Sequence, residues 1–319
     1  MTVRNRVRSC IILLSALAVL TTSSFAFDSS EHRLLADSAF ADVLQELGDG
    51  DATTLVTSLS RQAMASLLQN RNREATFGNL VAIDLGKDLS GDRLHHWNRT
   101  VLAQLREISS EAFEQSWQRA KSLLSSQESS PQQISRIVHP SFADNTISRF
   151  TTFHLLALRM AAEGGSDSAQ QARAFAISLS LEALAQGYLA DAFSSGHMVL
   201  PWHDFPLHSF AHRNITEAHR SASSHGIYVL NAHGDAWQAF GDNLLMWYEW
   251  HYRRTQMTCR VSLRELLLVF MVKRKLPVPS SLLQWLEDEG LSINPSDLVS
   301  LWLSANDGEE LFSTQSRPA

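Results

Sequence analysis

Along almost the whole chain, apolar positions recur at helical intervals. "HRLLADSAFADVLQEL" (32–47), "TLVTSLSRQAMASLLQN" (54–70) and the long run 94–124 repeat every three or four residues, as do 146–164 and 168–195. Beyond them, 235–257, 262–274 and 279–290 read as helices in the same way. One short stretch, "GIYVLNAHGD" (226–235), is apolar and β-branched before a turn and is a strand candidate. Breakers separate the periodic runs: the polar "SSQESSPQQ" (125–133), the proline-bearing "HMVLPWHDFPLHSFAHRN" (197–214) and "LPVPSS" (276–281). The pattern predicts an all-α fold. It takes the form of a single multi-helix bundle over 27–305, with a His-rich loop insertion, little or no strand, and a flexible tail at 306–319.

The N-terminus departs from this pattern. Arg4, Arg6 and Arg8 precede the apolar "CIILLSALAVL", which is too short to span a bilayer, and small residues follow at Ser24 and Ala26. These features predict a secretory signal over 1–26, cleaved to leave Phe27 first, and hence export to a periplasm or the medium; an uncleaved anchor is the alternative. No transmembrane segment is expected in the mature chain. Loss of the three arginines would take the formal charge from −6 to −9. An acidic chain is a poor nonspecific binder of nucleic-acid backbones, so no specific nucleic-acid partner is expected. Loss of Cys10 would leave Cys259 alone, so a large core, a metal or both must replace disulfides.

Histidine changes the picture further. Seven of the thirteen lie between His197 and His233, and imidazole is the commonest metal ligand. The segment "EALAQGYLADAFSSGH" (182–197) ends a helical run with Asp191 and His197, and Gly187 stands one turn before the aspartate. Gly196 is a natural helix-end residue, and a turn there would carry His197 back toward Asp191. Trp237, Trp247 and Trp250 recur at helical spacing and read as core.

These residues resemble the zinc-dependent phospholipase C / S1-P1 nuclease superfamily, whose core reads H-x3-D-x5-H; here it is Gly187, Asp191, His197. "FDSSEH" is similar to the start of the nuclease branch, where a new aromatic N-terminus and a histidine five residues on bind metal: Phe27 and His32. "IVHPSFAD" supplies His139, 52 positions before Asp191, and "HRSASSHGIYVLNAHGDAWQAFGD" resembles the segment that carries a further ligand, His219. "GNLVAIDLGKD" matches an acidic segment loosely, with Asp88 or Asp84 in the acid's place and Asn79 where an acid is usual. Ser223 also stands where the wider superfamily has an acid.

The resemblance implies Zn2+, one to three ions, fewer than three because Gly187 replaces a histidine. The implied ligands are Phe27, His32, His139, Asp191, His197 and His219. His154, His203, His208 and His212 are possible replacements; for His154, a packed core residue with a hydrogen-bond partner is an equal reading. It further implies hydrolysis of a phosphodiester by a metal-activated water, Asp191 serving as bridging ligand and Asp88 orienting that water. A phospholipid head group suits the acidic chain better than a polynucleotide. The alternative is a catalytically degenerate relative that binds a ligand or partner and keeps metal for structure.

Overall fold

The computed structural model describes residues 29–68, 75–85, 110–124, 146–163, 167–199, 217, 220–231, 236–241, 244–288 and 314–315. Within these the chain is helical nearly throughout, as the periodicity predicts. In order come α1 (Ser29–Glu46), α2 (Asp51–Leu68), α3 (Phe77–Leu85), α4 (Ser110–Ser122), α5 (Thr146–Glu163), α6 (Ser168–Ala192), α7 (Ser195–Val199), α8 (Glu249–Lys273) and α9 (Ser280–Asp288). The strand candidate is real but short. β1 (Ile227–Asn231) pairs antiparallel with β2 (Ala236–Ala239), Val229 opposite Trp237, and β3 (Thr314–Gln315) adds to its other edge.

The centre of the bundle is α6. Residues 177–192 are buried on every side, which explains why this helix lacks a polar face. Asp167 caps its start, its side chain accepting from Gln170 N at 2.8 Å. Around it pack α5, α2, α3 and α8, and α1 lies against α3 and α8. Large side chains such as Phe175 and Phe270, ring centroids 4.3 Å apart, fill the space between α6 and α8.

The α1–α8 seam is polar toward its rim. Ser38 Oγ and Tyr252 Oη are 2.8 Å apart, and Arg264 holds Glu46 with two bonds of 2.6 and 2.8 Å. Partial burial pushes the Glu46 carboxyl up, but Arg264 and Arg260 more than offset this and leave it below its usual value.

Three expectations need correction. The run 235–274 is not two helices. Its start is β2, then a tight 3-10 turn at Leu245–Trp247, and one unbroken α8 covers the rest. The three tryptophans therefore do not share a helix face: Trp237 is buried on β2, whereas Trp247 and Trp250 are 80% and 73% exposed. Helix α6 also stops before Gly196. Its cap is Phe193, whose N–H bonds back to Ala190 O and Asp191 O, and Gly196 lies inside α7. Finally, "FGNLVAIDL", read only as a loose acidic segment, forms α3. Of the expected helix 94–124, positions 94–109 lie outside the described residues. Among the described residues no helix is long and apolar enough to cross a membrane.

Candidate functional site

The two ends that the sequence left far apart meet at the C-terminal end of α6. His32, in the first turns of α1, places Nε2 at 3.0 Å from Oδ1 of Asp191, and both residues are buried. His197 follows on α7 and is buried as well. Oδ1 of Asp191 accepts no hydrogen bond of good geometry in this setting. Two donors about 2.0–2.1 Å from one zinc, at angles of about 90–110°, stand about 2.9–3.4 Å apart, so the pair fits adjacent positions on such an ion.

Local sequence explains how the pair is held. Gly78 at the start of α3 lets that helix press on α1: a Cβ there would stand 2.1 Å from Arg33 O. Asp37 of α1 then caps α3, its Oδ1 accepting from Gly78 N at 2.6 Å and its Oδ2 from Thr76 Oγ1 at 3.1 Å. The contact falls beside His32 in α1, and Asn79, which follows Gly78, is buried.

Beyond α6, Ser195 N donates to Phe240 O and Ser195 Oγ to Ala222 O. Gly241 is wedged between Ser223 and Ser194; a Cβ would lie 2.3 Å from Ser223 Oγ. Ser223, which stands where the superfamily has an acid, is thus buried beside the α6–α7 corner.

Two residues that the sequence reading passed over organise this corner. Glu31, adjacent to His32, accepts from Leu245 N at 2.9 Å and so ties the 3-10 turn to α1. His251, outside the 197–233 cluster, donates from Nε2 to Phe193 O at 2.9 Å and accepts Phe240 N–H on Nδ1 at 3.2 Å. Burial holds it neutral by pushing its pKa down to about 4, slightly opposed by the Phe193 carbonyl. No sequence signal marked His251; Glu31 was visible only as an acid in a first helical turn.

His154 stands apart from this corner. Its Nδ1 and Nε2 lie 2.8 Å from Glu182 and Glu265, on α6 and α8, and Ser262 and Gln186 also bond Glu182. Glu182 precedes Asp191 by nine residues, about 13 Å along the helix axis. With both ring nitrogens committed, His154 is the packed, hydrogen-bonded core residue of the two readings and is not an extra ligand here. Burial alone would lower its pKa, but Glu182 and Glu265 overcome that and raise it to about 10.

Phe27, Asp88, His139, His203, His208, His212 and His219 lie outside the described residues, and Asp84 falls in α3. Among the described residues no group of three or more His, Cys, Asp and Glu gathers in a metal-holding arrangement. Comparison with known proteins finds no matching family model, no matching curated protein and no matching solved structure.

Proposed function

We propose that the chain is an exported zinc-dependent phosphodiesterase with a phospholipid head group as the favoured substrate class. The observation that carries this reading is the meeting of His32 with Asp191 at 3.0 Å; His197 is buried on α7 but does not join them in a three-residue cluster. The superfamily resemblance implies both His32 and Asp191 as ligands, and they are remote from each other in the chain. Asp191 and His32 would hold one zinc between them. When bound, zinc supplies an activated water and polarises the phosphoryl oxygen. The chain's own part is to fix the donors on helix ends and to bury them, which keeps competing water away.

Mass spectrometry of the purified full chain should find zinc in stoichiometric amount, and hydrolysis of a generic phosphodiester should vanish with chelator and return with zinc. His197→Ala should lower bound zinc and thermal stability together. Zinc-free protein that gains no thermal resistance from added zinc would overturn the reading.

A second reading, a degenerate relative that binds without turnover, draws on Gly187. It is buried in α6, one turn before Asp191, where the superfamily has an imidazole. Bound zinc without hydrolysis of any phosphodiester would select it.

A further inference from the structure

Beside the corner described above, the surface changes character. Met246, Trp247 and Tyr248 are 48%, 80% and 40% exposed on and just after the 3-10 turn. Trp250 and Met257, 73% and 56% exposed, follow at i and i+7 on α8 and so share one of its faces. Tyr228, 67% exposed, is the cross-strand partner of Gln238. Gln238 in turn lines a groove of about 520 Å³ walled by Trp237, Trp247, Tyr248 and Trp250. The Arg254 guanidinium lies 4.7 Å over the Trp237 ring at this groove. Elsewhere among the described residues the exposed large apolar side chains are scattered leucines, which need no explanation.

We infer that this aromatic face is a peripheral membrane-docking surface that seats on a zwitterionic phospholipid bilayer. Tryptophan and tyrosine are the residues favoured at a water–hydrocarbon boundary, where one end of the ring is dry and the other wet. The charge on the face is small. Glu249 and Arg253 pair at 2.5 Å across one helical turn, which leaves the Arg254 guanidinium over Trp237, while the chain as a whole carries −6. A face with so little charge on an acidic body suits zwitterionic head groups, and the acidic body is repelled by anionic ones. The same acidity disfavours pairing with a second copy of the chain.

Position supplies the link to chemistry. The 3-10 turn is bonded to Glu31, next to His32, and His251 of the groove is bonded to Phe193, two residues after Asp191. A bilayer seated on the face would therefore present its phosphodiesters beside the candidate site. The inference deepens the phosphodiesterase reading by naming the source of the substrate and rests on that reading for this last step; docking itself requires no catalysis.

The test is sedimentation of the full chain with phosphatidylcholine vesicles, in the presence of chelator so that nothing turns over. Intrinsic tryptophan fluorescence with bromine-labelled lipid is the second readout. The wild type should pellet with the vesicles, shift its emission to the blue and be quenched. Trp247→Ala/Trp250→Ala should lower the partition coefficient at least about tenfold with unchanged unfolding, whereas Leu55→Ala on another exposed surface should leave it unchanged.

Absence of pelleting and quenching overturns the inference. So do a doubly mutated protein that partitions as the wild type does, stronger binding to anionic than to zwitterionic vesicles, and a wild-type dimer that the double substitution converts to monomer. Hydrolysis of a water-soluble phosphodiester by the docking-deficient variant separates the two readings. Retained turnover leaves the enzyme reading standing, and vesicle binding by an inactive wild type leaves docking standing.

Discussion

Among the described residues two histidine–carboxylate associations are buried, and they are built to opposite ends. Around His154 both ring nitrogens are held: two glutamates clamp the imidazole, and Ser262 and Gln186 bond Glu182. This network sits at mid-helix on α5, α6 and α8. Around His32 and Asp191 the groups stand at helix ends, and a buried carboxylate oxygen lacks a well-formed hydrogen bond. The same two residue types thus clamp three helices at mid-length in one place and meet at helix ends in the other. A closed buried network gives specificity to the core only while every member remains, because each deletion strands a charge.

The largest effect should come from opening the closed network. Glu265→Leu leaves His154 and Glu182 buried with one partner lost and should cost about 3–5 kcal/mol in denaturant unfolding. A loss well under 1 kcal/mol would show that the network contributes little to stability.

Next in size is the support of the open pair. Gly78→Ala forces a Cβ against the Arg33 carbonyl, separating α3 from α1, and should cost about 1–3 kcal/mol. Its diagnostic sign is a parallel loss of zinc binding, since His32 rides on the same contact.

The pH dependence of the closed network sharpens the contrast. His154 has a folded pKa near 10, above its ordinary 6.5, so the folded state binds the proton more tightly. Its contribution to stability should be whole below about pH 6.5 and fade as pH rises toward about 10. Nitrogen chemical shifts should show the His154 ring still protonated at pH 8; a neutral ring there would contradict the clamp.

The smallest intrinsic effect belongs to the open pair. His32→Ala or Asp191→Asn should change the stability of metal-free protein by about 1 kcal/mol, because each removes a single histidine–carboxylate contact rather than one arm of a two-glutamate clamp. With zinc a hundredfold above its Kd, the wild type should gain about 2.7 kcal/mol and these variants much less. Equal gains in all three would place zinc elsewhere.

What could be read in advance follows from this contrast. Helical period revealed α1, α2, α5, α6 and α9 because each buries a face or the whole of an uninterrupted apolar run. It misjudged 235–257, since "AWQAFGDN" places aromatics at spacings that a strand and a turn also satisfy; Gly241 there fits a close backbone approach, not a helix. Asp191 and His197 were legible because they are near each other on the chain. His32 entered only through a resemblance, and no local pattern says that α1 folds back onto the end of α6. The partners of His154 were invisible for the same reason: Glu182 and Glu265 look like ordinary helical acids until three helices bring them together. Exposure of Trp247 and Trp250 was misread because helical spacing cannot tell a core face from an unpartnered one.

The bond from Asp37 to the start of α3 has a kinetic corollary. A nine-residue helix is too short to persist by itself. Its first turn is secured by a side chain that belongs to α1, some forty positions earlier. Amide hydrogens of α3 should therefore trade with solvent only in openings that also lift α1, and the two segments should share one protection level in hydrogen-exchange measurements. The 29–46 and 77–85 stretches then behave as one cooperative unit despite the chain between them.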